Sequence, residues 1–408
     1  MTAAAHPVSH GSPFARVDLA PRDPILGLNE QFAADPRPHK VNLGVGVYTD
    51  ADGKLPLLEC VRRAERQLLE SPKARGYLPI DGIAAYDKAV QALVFGAGSE
   101  VLGSGRVATV QALGGTGGLK LGADFLRKVN PQAKVLISDP SWENHRALFT
   151  NAGFEVASYP YYDASRRGLD AAGMLAALKA AAPGTIVVLH ACCHNPTGVD
   201  LTPEQWGPVI ETVRERGLMA FLDMAYQGFG EGLAADGAVV QRFVDSGMDF
   251  LVATSFSKSF SLYGERVGAL SVVCADKDEC ARVLSQLKVT IRTNYSNPPT
   301  HGATVVATVL GTPELRALWE EELGGMRQRI RAMRRALREG LAAAGVKGDQ
   351  GFITSQKGMF SYSGLTAAQM HRLRQEFAVY GVDSGRICVA ALNERNLPSV
   401  IAAIAAVS

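Results

Sequence analysis

Five short apolar runs in the middle of this chain each end in residues able to do chemistry. After Leu113 comes Gly114-Gly115-Thr116-Gly117-Gly118. After Ile137 comes Ser138-Asp139-Pro140-Ser141-Trp142, and after Leu189 a polar tail reaches His194-Asn195-Pro196-Thr197-Gly198. After Leu222 comes Asp223 and then Tyr226; after Ala253 comes Thr254-Ser255-Phe256-Ser257-Lys258. A glycine-rich loop that opens a helix presents backbone N–H groups and a positive dipole end, which suits a phosphate. It lacks both the G-x-G-x-x-G spacing and the Gly-Lys-Ser/Thr ending of the nucleotide loops, and a tight strand–helix turn needs the same glycines.

A lysine buried at position 258 would lose part of its preference for the charged form, and a neutral amine forms Schiff bases with carbonyl compounds. The plain alternative is a lysine whose stem is covered and whose head reaches water. Ser255-Phe256-Ser257-Lys258 also fits S-x-x-K, but the S-D-N and K-T-G partners of that chemistry do not occur in the chain. Asp223 closes Ala220-Phe221-Leu222 and must meet a cation or donors. A structural ion pair would serve, and so would the protonated pyridine nitrogen of pyridoxal phosphate. Trp142 could stack on a flat ring or fill a core.

Elements must bring these groups together. The runs Arg106–Leu113, Lys134–Ile137, Thr185–Leu189, Leu218–Leu222, Phe250–Ala253 and Val267–Val273 read as strands. Helical patterns lie between them, one with Leu119, Ala123 and Leu126 in phase and one opening at Thr202-Pro203-Glu204. The alternation predicts an α/β layer with a mostly parallel sheet, whose ligands gather beyond the strands' carboxyl ends. Beyond residue 314 the pattern changes: a long charged helix with Arg327, Arg331 and Arg335 on a solvated face, a helix near 366–380, a strand near Ile387–Ala390 and an Ala-rich last helix. This predicts a smaller α+β domain, against which the N-terminal segment packs.

The 408 residues allow two to three domains, with 47% apolar and 20% charged residues. A net charge of +2 leaves no field for nucleic acid or a membrane surface. No apolar run approaches a membrane span and no signal peptide is expected. The first dozen residues are expected to be mobile. Cys192, Cys193 and His194 are adjacent, but neighbours on an extended chain point apart, so no metal is expected; the six cysteines read as reduced thiols of a cytoplasmic protein.

The ordered motifs resemble the class I pyridoxal-phosphate aminotransferases of the aspartate and aromatic amino acid subgroup. They are Val41-Asn42-Leu43-Gly44-Val45-Gly46-Val47-Tyr48, Gly76-Tyr77-Leu78-Pro79-Ile80-Asp81-Gly82, the glycine-rich loop, Ser141-Trp142-Glu143-Asn144-His145 and His194-Asn195-Pro196-Thr197-Gly198. Asp223-Met224-Ala225-Tyr226-Gln227-Gly228, Ser255–Lys258, Tyr263-Gly264-Glu265-Arg266-Val267-Gly268, Arg292-Thr293-Asn294-Tyr295-Ser296 and Ser384-Gly385-Arg386 follow. The resemblance implies a seven-stranded, mostly parallel sheet flanked by helices. It divides the chain into an N-terminal arm with part of the small domain (1–50), a large cofactor domain (51–322) and a small domain (323–408).

By the same resemblance, Lys258 holds pyridoxal 5'-phosphate and later moves the proton, while Asp223 protects the ring's protonated nitrogen with His145 behind it. Asn195 and Tyr226 bind the ring oxygen, and Trp142 stacks on the ring. Gly115, Thr116, Ser255, Ser257 and Arg266 hold the phosphate, with Tyr77 reaching it from a second subunit of a homodimer. Arg386 takes the substrate α-carboxylate; Arg292, also from the neighbour, takes a distal carboxylate. Gly46 lies on the segment that closes over the substrate. The Asn195–Pro196 and Asp139–Pro140 bonds are expected to be cis. Tyr77-Leu78-Pro79, Cys192-Cys193-His194 and Gly358-Met359-Phe360-Ser361-Tyr362 look like the bacterial tyrosine-type branch, whereas Val47 and Asn297 look aspartate-like. The implied activity transfers the amino group of tyrosine, phenylalanine and aspartate to 2-oxoglutarate by ping-pong kinetics; the alternative is strict dicarboxylate preference. Ligand binding without turnover, or another reaction on the same cofactor such as β-decarboxylation, would be separated by cofactor absorbance and product analysis.

Overall fold

A computed structural model describes residue 12 and residues 14–408. Apart from residue 12, the first dozen residues, expected to be mobile, lie outside the described residues. The central sheet has seven strands: β1 (Val107–Leu113), β2 (Lys134–Asp139), β3 (Glu155–Pro160), β4 (Ile186–His190), β5 (Met219–Met224), β6 (Phe250–Ser255) and β7 (Val267–Val273). Their spatial order is β1-β7-β6-β5-β4-β2-β3. β7 runs antiparallel to both its neighbours and all other pairs are parallel.

β4, β6 and β7 are buried along their whole length, which is why they read as unbroken apolar runs. The two-residue period divides their side chains between two cores. Val187, Leu189, Ala220, Leu222 and Val252 enter one; Ile186, Val188, Phe221 and Leu251 enter the other, against Leu119, Phe125 and Leu126 of the helix Gly114–Val129. Thr109 and Ser271 are polar inside this sheet because they face each other in register and their hydroxyls bond at 2.9 Å.

The helix Pro313–Ala343 has 31 residues and runs unbroken past 322/323. Beyond it, Phe360–Tyr362 pairs antiparallel with Arg386–Cys388, and helices Ala367–Phe377 and Leu397–Val407 pack together. The N-terminal segment meets this part through Val41–Asn42, which pairs in parallel with Val379–Tyr380. The arginine face of the long helix is not simply solvated. Arg327 donates to the Gly228 carbonyl at 2.7 Å and Arg331 to that of Gly230 at 2.8 Å, tying the helix to the turn after Tyr226. Among the described residues, no helix is long and apolar enough to cross a membrane.

Candidate active site

The strand ends do converge. A cavity of about 230 Å³ is lined by Gly115, Thr116, Trp142, Asn195, Asp223 and Tyr226, by Ser255, Ser257, Lys258 and Arg266, and by Gly46 and Arg386. The first ten come from the sheet's carboxyl edge. Gly46 and Arg386 come from the two segments that pack at the C-terminal part.

Asp223 ends β5 and is 6% exposed. Its Oδ2 lies 2.9 Å from Nε2 of the fully buried His145, whose Nδ1 lies 2.9 Å from Ser141 Oγ. Burial would raise the Asp223 carboxyl, but the His145 hydrogen bond and the electrostatic influence of His145, His190 and Lys258 outweigh it and hold it below its ordinary value. Lys258 stands with its Nζ 5.0 Å from the centre of the Tyr226 ring. Burial lowers its amine to about 8, with Asp223 opposing and Arg266 and Arg386 adding to the shift. Burial also pushes the Tyr226 hydroxyl up.

Gly114 turns from β1 into its helix at φ +70°, and a Cβ there would lie 2.4 Å from Nη2 of Arg266. The first turn carries no acid and leaves free N–H groups, and a Cβ on Gly115 would lie 3.1 Å from Ser255 Cβ, so the turn sits beside Ser255 as well as Arg266. Arg266 Nη1 donates to Ser257 Oγ at 3.3 Å, and the two serine hydroxyls are 3.2 Å apart. This cradle of a guanidinium, hydroxyls and a helix start, with no acid in the helix's first turn, fits a phosphate. A phosphate here, an amine that loses its proton readily and a buried carboxylate together match the three polar ends of pyridoxal phosphate. The residues therefore fit that group.

Arg386 is 1% exposed, yet its donors meet no carboxylate. Nη1 donates to Asn195 Oδ1 at 3.0 Å and Nη2 to the Gly44 carbonyl at 2.7 Å; Nε is buried without a partner. A buried cation with an open donor beside a cavity can receive an anion. Asn195 is left with its Nδ2 to donate.

Two expected site residues are elsewhere. The Tyr77 side chain is 96% exposed, and Arg292 is exposed with its Nη1 on Ser296 Oγ; neither lines the cavity. The cavity also includes Ile25, Val45, His190, Tyr263 and Phe360, to which sequence reasoning gave no role. His190 ends β4 and obeys the same strand-end rule, so that signal was available. Phe360 arrives only through its pairing with Cys388. Both Asp139–Pro140 and Asn195–Pro196 are cis.

The cysteine pair departs from its expected geometry. Cys193 has φ +53°, not an extended backbone, so both thiols and the Asp236 carboxylate have ligand atoms within 4.8 Å of one another. The Asp236 oxygens already accept the N–H groups of Gly228, Gly230 and Glu231. All six cysteines are buried and unpaired.

Known proteins give the same picture. The chain is 62% identical to an aspartate aminotransferase of Pseudomonas aeruginosa over 96% of this chain and 98% of that protein. It is 50% identical to the aromatic-amino-acid aminotransferase of Escherichia coli over 97% and 100%. The crystal structure of an aromatic-amino-acid aminotransferase from Burkholderia pseudomallei, covalently bound to pyridoxal phosphate, superposes with a TM-score of 0.95 at 66% identity, covering 97% of this chain and all of that one. The family model for class I and II aminotransferases matches residues 38–404, and the chain belongs to that family.

Proposed function

We infer that this chain is an aromatic-amino-acid aminotransferase that also accepts aspartate, with 2-oxoglutarate as amino acceptor. The observation that carries this reading is the pairing of two buried cations in one cavity. Lys258 sheds its proton near pH 8, and Arg386 has no acid of its own. That the protein is a pyridoxal-phosphate-dependent transaminase of amino acids and 2-oxo acids rests on family and fold together.

When bound, pyridoxal phosphate supplies an aldehyde for the amino nitrogen and a protonated ring that withdraws electrons from Cα. The Gly114–Thr116 turn, Ser255, Ser257 and Arg266 hold its phosphate. Asp223, kept anionic and aimed by His145, would hold the ring's protonated nitrogen. Asn195 and Tyr226 would hold the ring oxygen, and Trp142 would pack against the ring. Arg386 fixes the substrate by its α-carboxylate, which leaves the Cα proton within reach of Lys258 Nζ. Lys258 would take that proton, and an amine near 8 suits both accepting and giving up a proton. Gly46, Ile25 and Phe360 cover the cavity and exclude water. The same steps run in reverse on the second substrate, which is the ping-pong pattern.

In this reading residues 51–322 form the cofactor domain, and 323–408 with the 1–50 arm form a small domain joined by the helix Pro313–Ala343. Tyr77 and Arg292 serve the cavity of a second copy in a homodimer. The six unpaired thiols favour a cytoplasmic setting.

The apolar lining favours aromatic substrates: Ile25, Val45 and Val47 face the cavity, and the lysine and arginines that line it, Lys258, Arg266 and Arg386, already have the roles given above. The alternative, strict dicarboxylate preference, is favoured by the name of the 62% identical relative. Comparing kcat/KM for tyrosine, phenylalanine and aspartate with 2-oxoglutarate decides between them. Values for the three within about tenfold support the dual reading, and aromatic turnover near background overturns it.

A further inference from the structure

We propose that Arg334 is a positioning residue for carboxylate recognition, acting on Arg386 through Phe360. This rests on reading Arg386 as the α-carboxylate receptor.

Arg334 lies on the helix Pro313–Ala343 and is 2% exposed. A buried guanidinium ordinarily sits against an acid. This one donates instead to backbone carbonyls of one short stretch: Nη1 to Ile353 at 2.9 Å, and Nη2 to Gly358 at 2.9 Å and to Phe360. The charge therefore grips the main chain on both sides of Met359, which has no other regular structure between Ser355 and Phe360.

That stretch is tightly seated. Gly358 has φ +74°, and a Cβ there would lie 2.5 Å from Cys193 Cβ. Lys357 N donates to the Gly198 carbonyl at 2.7 Å. The loop thus rests on the turn that carries Asn195, which itself accepts from Arg386. At its end the Phe360 ring lies against three parts of the cavity. The Arg386 guanidinium carbon is 4.4 Å from the ring centre, and the Tyr226 ring meets it edge-on at 5.9 Å. A Cβ on Gly46 would be 2.6 Å from Cζ. With Nε left open and the other donors on Asn195 and Gly44, the ring is the surface that sets the plane of the Arg386 fork. Arg334 fixes where that ring stands. Lysine would keep the charge but not the planar fork that spans carbonyls on both sides of the loop.

The test uses the pyridoxal-phosphate-loaded enzyme and two amine donors that differ by one group, phenylalanine and 2-phenylethylamine. The single-turnover half-reaction is followed by cofactor absorbance, and binding of 3-phenylpropionate by calorimetry. Arg334→Lys should lower kcat/KM for phenylalanine about 10- to 100-fold, the penalty of a misplaced binding group. It should weaken 3-phenylpropionate to a similar degree and leave 2-phenylethylamine near wild type. Phe360→Leu also thins the cavity wall, so it should lower both amines but phenylalanine by a further factor of similar size, and the double variant should be no worse than the poorer single one, as for residues acting in one chain. Equal losses on both amines, additive effects or unchanged 3-phenylpropionate binding would overturn the proposal. If Arg334→Lys does not fold, Arg334→Gln, which keeps two N–H donors without the charge or the full fork, is read in the same way, and a ratio of the two amines unchanged from wild type overturns the proposal. Arg386→Leu is the separate control: failure to lose carboxylate preference there would remove the parent reading instead.

Discussion

Lys258 and Arg386 show one cause, burial, acting on two cations with opposite results. An ammonium answers burial by releasing its proton, so Lys258 falls to about 8 and becomes a nucleophile and base. A guanidinium does not release its proton, so Arg386, which lines the cavity, is open to an anion that enters it. The cofactor-free protein therefore should take up pyridoxal phosphate covalently at a rate that climbs about tenfold per pH unit below 8 and levels off above it, following the neutral fraction of the amine. Stopped-flow absorbance between pH 6 and 10 checks this, and a flat profile would show that Lys258 is not the titrating nucleophile. Lys258→Ala should still bind the cofactor through its phosphate and ring contacts. Transamination should nevertheless fall by at least ~10⁴-fold, the upper range for losing a positioned base; turnover within tenfold of wild type would exclude the assigned role.

At the scale of elements, the start of the helix Gly114–Val129 does the work of an anion site only because its first residue has no side chain. An alanine at φ +70° costs about 1–2 kcal/mol. Its Cβ would also press on the Arg266 guanidinium, which bonds to Ser257. Gly114→Ala should leave the sheet folded and weaken pyridoxal phosphate binding about 10- to 100-fold, the range for disturbing a charge-assisted contact. Equilibrium dialysis of cofactor against the apoenzyme measures it, and unchanged affinity would place the phosphate elsewhere. The elements that build the site were legible because its strands are buried on both faces and end in polar residues. Val267–Val273 was delimited fully, and the other five runs to within two residues at each end. β3 was not seen: Glu155, Ala157 and Ser158 interrupt its apolar pattern, since it lies at the sheet's edge with only Tyr159 buried. Direction was also hidden, because burial makes a strand apolar whether its neighbours are parallel or antiparallel, as β7 shows. Phe360 and Ile25 escaped for a different reason. Their places depend on packing between segments remote in sequence, Phe360 against Gly46, Tyr226 and Arg386, and no local pattern encodes that.

Across the whole molecule, the unexplained feature is the exposure of groups built for contact. Tyr77 is 96% exposed, and Phe14, Val17 and Leu19 of the N-terminal arm are more than 70% exposed. Arg292 faces outward as well, while the cavity lacks a cation for a distal carboxylate. The homodimer proposed above would account for both facts, because an isologous interface hands each copy's residue to the other's cavity. Arg292→Leu should then cost aspartate about 100-fold in kcat/KM, the loss of one buried charge pair, and phenylalanine much less. Equal losses would unseat the distal-carboxylate assignment. Where the arginine acts is tested by mixing. On aspartate, Lys258→Ala alone should be inactive and Arg292→Leu alone should keep about one hundredth of wild-type turnover. Co-expressed in equal amounts, they should pair at random, and half of the dimers should carry both. Each such dimer has one cavity with Lys258 from one copy and Arg292 from the other, so aspartate turnover should return to about one quarter of wild type. If Arg292 served its own chain, every cavity in the mixture would lack one of the two groups. Aspartate turnover would then stay at the level of the single variants, and the shared-site reading would fall.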